Sequence, residues 1–373
     1  MKNNISFLVL LFICISVNAQ TYKFETLIDL ETTNVISQGK TGTCWSFSTS
    51  SFLESEIMRI TGKTIDLSEM YTVRNTYPKK AWNYIMRQGK TQFSDGGLAH
   101  DVLNSVKTHG LVPAYTFTGL NETETTHNHS EMLTVLRGLL NTYNKDVKKP
   151  LSPKWKPVIE SVLDIYLGKN IETFNYEGVQ YTPKSFLEFT KINPDDYVSL
   201  TSFTQEPFYT NFILNIPDNF SNGSYLNLPI NELFTTVVQA LKKGYTVALD
   251  CDVSEKTFTA NPGMAIIPEE PNLNLITLSE IAKEKNITQV YRQQEFENFN
   301  TTDDHLMHIT GLVKDQNGTM YFKVKNSWGG NSKRVANNGF IYMSEAYFKL
   351  KMISVTLHKN VVDKKHDTIL KKQ

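Results

Sequence analysis

The chain has 373 residues, 40% of them hydrophobic and 11% aromatic, enough to bury the core of one large two-lobed domain or two ordinary ones. Its 38 Lys and Arg equal its 38 Asp and Glu, so no global field draws it to nucleic acid or to an anionic membrane, and neither is expected as a partner.

The first nineteen residues read as an export signal, with Lys2 near the start, an apolar run from Ile5 to Val17, and Val17-Asn18-Ala19 as a small-residue cleavage site. The mature chain is expected to begin at Gln20 and to be periplasmic or secreted. The run is short for a bilayer span, so no stable membrane insertion is expected. Lipid modification at Cys14 fits poorly with the bulky Phe12 and Ile13 before it. Cleavage would leave Cys44 and Cys251, too few for a disulfide framework, and both are expected to be thiols.

Residues 20–37 form a short lead-in. Then comes Gln38-Gly39-Lys40-Thr41-Gly42-Thr43-Cys44-Trp45-Ser46-Phe47-Ser48. Leu53, Ile57 and Ile60 recur at helical spacing and Gly62 supplies a stop, which puts Cys44 at the N-terminus of a helix. The partial positive charge there favours a thiolate, the nucleophilic form of cysteine. A buried structural thiol is the plainer alternative. Ser94-Asp95-Gly96-Gly97 is a turn into an amphipathic helix through Leu98, Val102, Leu103 and Val106, where adjacent glycines let a ligand backbone approach closely. Between residues 119 and 200, Met132 to Leu140 and Val158 to Tyr166 mark two more amphipathic helices without evident chemistry. His127 and His129 read as a solvated loop, since no cage of other ligands surrounds them.

After Asp195 strands take over. A helix over 231–243 leads to the buried strand 245–251, where Cys251 is structural, and one short helix is expected around Ile281 in a stretch of loops. Residues 304–326 read as a β-hairpin turning at Asp315-Gln316-Asn317-Gly318. Pairing about the centre of that turn sets His308 opposite Lys325 and His305 opposite Trp328. Asn326 then shares a face with His305, while His308 points away as a core or surface residue.

These residues together resemble the papain-like cysteine peptidases. The likeness rests on the Gln38-to-Cys44 spacing, the Cys44-Trp45 pair, His305 before Leu306-Met307, and Asn326-Ser327-Trp328-Gly329. Thr41 stands where the papain signature has a second cysteine. That residue, the Asp95-Gly96-Gly97 turn, the helical insertion and the tail from Val361 to His366 resemble the bleomycin-hydrolase and aminopeptidase C branch. The insertion accounts for the 261 residues between Cys44 and His305.

The resemblance implies an α+β, two-lobed papain-like fold: a helical lobe over 20–118 carrying Cys44, a helical insertion over 119–200, a β-rich lobe over 201–360 carrying His305 and Asn326, and a tail over 361–373. It further implies peptide hydrolysis through an acyl-enzyme, with Cys44 as nucleophile, His305 as base and acid, Asn326 as its orienting partner and Trp328 shielding their bond. Gln38 and the Cys44 N–H would form the oxyanion hole, and Gly96 and Gly97 would bind substrate. A peptide or protein is the partner, no metal or organic cofactor is needed, and papain-class thiols paired with histidine titrate near ~3–4, so an ion pair is expected. The branch is hexameric and its C-terminal arm restricts it to aminopeptidase action. Here only residues 367–373 follow the arm's beginning, so aminopeptidase, endopeptidase, a non-catalytic peptide-binding protein on the same fold, and oligomeric state all stay open.

Overall fold

A computed structural model describes residues 22–145, 150–270 and 281–370. The expected signal segment and its cleavage site lie outside them. The described chain starts with strand β1 (Glu25–Asp29). Helix α1 (Cys44–Thr61) follows, ending where Gly62 takes a left-handed φ of 69° and returns its N–H to Met58. Nearly every side of its first fourteen residues is buried, because it lies between other helices and the sheet. Next are α2 (Glu69–Met86), capped by the Ser68 hydroxyl, α3 (Ala99–His109), α4 (Ser130–Asn144) and α5 (Trp155–Tyr166). A small hairpin, β2 (Phe174–Tyr176) and β3 (Val179–Tyr181), leads into α6 (Pro183–Thr190), which Thr182 caps.

The rest of the chain builds the sheet: β4 (Tyr197–Thr201), β5 (Asn211–Ile213), β6 (Ser224–Asn227), α7 (Ile230–Lys242), β7 (Val247–Cys251), β8 (Phe258–Thr259) and β9 (Met264–Ala265). Helix α8 (Gln289–Glu297) starts from a Thr288 cap. The short helix expected around Ile281 falls in part on residues 271–280, outside the described set; Ile281 itself has no regular structure. Then come β10 (His305–Lys314), β11 (Met320–Lys325), β12 (Phe340–Ser344), α9 (Glu345–Lys351), β13 (Met352–His358) and α10 (Asp367–Leu370).

The main sheet runs β5-β6-β4-β13-β7-β10-β11-β12-β9-β8, with β1 beside the far half of β10. Two cores flank it. One gathers α1 to α6 and takes in the insertion through Met132, Leu136, Leu140, Ile159, Leu163 and Phe186. The other packs α7 and α9 on the opposite face through Val237, Leu241 and Phe348. Strand alternation serves both: Val247, Leu249 and Cys251 enter the second core while Ala248 enters the first. The fold is α+β with two lobes and a helical insertion. The lead-in is not a free approach to α1: β1 pairs with β10, and Gln38 donates its backbone N–H to Ser327 O at 2.9 Å. Residues 25–38 thus sit on the β-rich lobe, and the helical lobe begins close to Cys44.

Candidate active site

Helix α1 crosses the start of β10, and its residues at i, i+4 and i+7 make the contact. Ser48 Oγ donates to Met307 O at 2.5 Å, and Ser51 Oγ lies 3.0 Å from His308 Nδ1. One turn nearer the helix N-terminus, the Cys44 sulfur meets the backbone N–H of Leu306. The thiol is therefore held beside the residue that follows His305, and only 7% of Cys44 is exposed.

His305 is buried as the first residue of β10, and its Nε2 lies 2.8 Å from Asn326 Oδ1. With Nε2 donating to the amide oxygen, Nδ1 is left as the basic nitrogen. Ser327 N–H also donates to Asn326 Oδ1, at 2.7 Å, which fixes that amide from a second side. The Trp328 ring lies 5.0 Å from the imidazole and stays 38% exposed, a partial cover over the pair.

The hairpin reaches this arrangement through a compensation. Near its turn Lys314 pairs with Met320 and Gly311 with Lys323, one residue out of step with the expected register; a bulge at Thr310 then restores it, so that His308 pairs with Lys325. His308 and Lys325 turn together toward α1, where Lys325 Nζ donates to Ser51 Oγ at 2.7 Å. His308 is a fully buried core histidine, on the opposite parity from His305 and Asn326.

Gln38 is buried next to them. Its Oε1 accepts the Ser327 hydroxyl at 2.5 Å and its Nε2 donates to Thr41 O at 2.7 Å, leaving one amide hydrogen without an acceptor among the described residues. Thr41, in the place of the second cysteine, closes the loop by hydrogen bonds instead, to Gln38 O at 2.9 Å and Thr43 Oγ1 at 2.6 Å. Asp95 braces the same loop. Its carboxylate accepts Gly42 N–H, and its carbonyl accepts Trp45 Nε1–H at 2.8 Å. At Gly97 a Cβ would come within 3.1 Å of the Trp45 ring, a tight fit that a glycine avoids. Gly96 faces the Asp218 carboxylate, and its carbonyl is taken by Lys80 Nζ.

Burial sets the resting charges. Loss of water, aided by the Asp218, Asp303 and Asp250 charges, pushes the Cys44 thiol up to about 12 against the lowering pull of the Leu306 N–H. Loss of water also lowers His305 to about 4 despite its bond to Asn326. Both directions favour a neutral thiol and a neutral imidazole at rest over the expected ion pair. A second correction concerns His129, expected in solvent: it is buried, lowered to about 4 by burial, with neither ring nitrogen bonded within the described chain. His127 packs its ring against Phe47, with centroids 6.2 Å apart. Cys251 is free and fully buried in the second core, as is fitting for a structural residue.

Three aspartates near the thiol, Asp218, Asp250 and Asp303, went unread in the sequence. The signal available was Asp250, a carboxylate inside an otherwise apolar strand, and Asp303 close before His305.

Known proteins similar to this chain include aminopeptidases and a cysteine proteinase. Aminopeptidase G of Lactobacillus delbrueckii subsp. lactis is 25% identical over 387 residues, covering 92% of this chain and 84% of that protein. Aminopeptidase C of Listeria innocua is 23% identical, covering 90% and 82%. The mitochondrial Cysteine proteinase 1 of Saccharomyces cerevisiae is 23% identical, covering 87% and 74%. The crystal structure of PepW from Lactobacillus rhamnosis has the same fold, with a TM-score of 0.75 at 19% identity over 93% of this chain and 85% of that one. The Peptidase C1-like family matches residues 15–373, and the chain belongs to that family of cysteine peptidases.

Proposed function

We propose that the protein is an exported cysteine peptidase, aminopeptidase-like, whose reaction runs through Cys44, His305 and Asn326. The observation that carries this is the 2.8 Å His305 Nε2 to Asn326 Oδ1 bond in a strand whose next residue touches the Cys44 thiol. Starting from the neutral pair, His305 Nδ1 takes the thiol proton as sulfur attacks the peptide carbonyl. Cys44 N–H and the free hydrogen of Gln38 Nε2 receive the oxyanion. His305 then protonates the leaving amine, a thioester remains on Cys44, and His305 activates the water that releases the acid. Asn326 holds the ring through both halves, and Trp328 limits the access of water to that bond. Gly96 and Gly97 offer backbone along the approach to the thiol.

The relatives named as aminopeptidases favour removal of N-terminal residues. Endopeptidase action is the second reading, favoured by the tail. Its described part docks elsewhere, with Glu232 held by Lys365 at 2.8 Å and His366 at 3.0 Å and Asn211 Nδ2 donating to Ile369 O at 2.7 Å. Export is read from residues 1–19 alone. Hydrolysis of peptide amides with free and with blocked N-termini tests the proposal. Wild-type protein is expected to cleave and Cys44→Ala to be inactive, while equal activity in the two proteins would refute the role of Cys44; preference for the free amine selects the aminopeptidase reading.

A further inference from the structure

The helical insertion meets the loop that leads to Cys44 at two histidines. Lys40 N–H donates to His127 O at 2.8 Å, His129 N–H donates to Lys40 O at 3.4 Å, and Lys40 and Asn128 form a parallel bridge between the two segments. Gly39, at a φ of 67°, lies so close that a Cβ would run into His127 O. Backbone groups make this junction, and the imidazoles are left over. His127 Nδ1 and both ring nitrogens of His129 are buried without a hydrogen-bond partner within the described chain, and His129 is only 4% exposed. A neutral imidazole carries one donor and one acceptor, and leaving them unmet away from water is costly.

The two rings stand at 70° to each other with centroids 6.1 Å apart. Two imidazoles on one tetrahedral zinc, at ~2.0–2.1 Å per Zn–N bond, have centroids about 5 Å apart, so the pair needs to close by only about 1 Å. Loss of water lowers both histidines, and the neutral form this favours is the one that binds metal. Glu124 is the carboxylate whose charge reaches both rings. It is exposed, and Asn121 N–H donates to its Oε2 at 2.9 Å, which leaves Oε1 to a ligand. Asp95 also reaches His129, but its carboxylate already accepts Gly42 N–H.

We propose that His127, His129 and Glu124 bind a zinc ion, with water completing its coordination, and that the ion fastens the insertion to the Gln38–Cys44 loop. Two imidazoles and a carboxylate are a donor set that suits zinc. The chemistry of the site answers the two observations that packing does not: a buried histidine with both nitrogens unmet, and a second imidazole turned to it within reach of one metal. None of the three residues takes part in the proposed hydrolysis, so the inference stands apart from that reading.

The test uses the full chain carrying Cys44→Ala, because a thiolate is itself a zinc ligand. After treatment with a chelator and its removal, zinc chloride is titrated into the protein by calorimetry at neutral pH. One zinc per chain is expected, with a dissociation constant in the micromolar range or tighter, and His127→Ala, His129→Ala and Glu124→Gln in the same background are each expected to weaken it at least about tenfold. Zinc is also expected to raise the Tm of the Cys44→Ala protein and to leave that of the histidine variants unchanged. No binding at millimolar zinc overturns the site, and so does binding undiminished in any folded variant. If His129→Ala, whose ring is buried, does not fold, the half-buried His127 and the exposed Glu124 decide by the same criterion.

Discussion

At the scale of single residues, the environment of Cys44 decides how the proposed reaction begins. A thiol raised to about 12 beside an imidazole lowered to about 4 is unreactive until a base removes its proton. The sign follows from these two directions. Above about pH 5 His305 is neutral, and the thiolate fraction keeps rising with pH up to the thiol pKa, about tenfold per unit. Alkylation of Cys44 by iodoacetamide without substrate is therefore expected to accelerate steadily between about pH 6 and 9. A rate flat across that range would indicate a preformed ion pair. The roles proposed for Gln38, Cys44, His305 and Asn326 were legible because each belongs to a short run with a fixed spacing. Asp218, Asp250 and Asp303 were not, since they come from three separate segments that only the fold brings together. His129 was misread for a related reason: its sequence neighbours are polar, yet tertiary packing buries it.

At the scale of elements, the β10–β11 hairpin sorts two histidines that composition cannot tell apart. Alternation along the strand gives His305 to the Asn326 side and His308 to the α1 side, where it joins Ser51 and Lys325. His305→Ala is expected to lose about 100- to 10,000-fold in kcat, the usual worth of a general acid–base. His308→Ala is expected to keep kcat per folded molecule but lose about 1–3 kcal/mol of stability, through a cavity and a broken buried hydrogen bond. Paired kinetics and denaturant titrations of the two variants check this, and loss of kcat in a folded His308→Ala protein would contradict it. The hairpin and its parity were readable from alternation and the Asp315 turn. The Thr310 bulge was not, because an extra residue in an apolar strand leaves no compositional mark; the register survived only because the offset at the turn and the bulge cancel. Helix α8 at Gln289–Glu297 was not read from the sequence, although Thr288 supplies its cap.

At the scale of the whole molecule, the two lobes are joined by more than the interface between α1 and β10. Strand β1 and residues 36–38 run along the β-rich lobe before the chain crosses to Cys44, so Gln38 is positioned by Ser327, next to Asn326. The candidate oxyanion donor and the orienting amide thus share one support. Fold class and the helical insertion followed from periodicity and resemblance, but this stitching of the N-terminal segment to the far lobe needed the structure, because β1 is short and mostly exposed. The central claim is that Cys44 is the nucleophile, and active-site titration tests it most directly: the protein is treated with increasing epoxide thiol inhibitor, residual hydrolysis of the preferred peptide amide is followed, and the adduct is mapped by mass spectrometry. One adduct on Cys44, with activity falling to zero at one equivalent per chain, is the expected result. Full modification of Cys44 with hydrolysis intact would contradict the account.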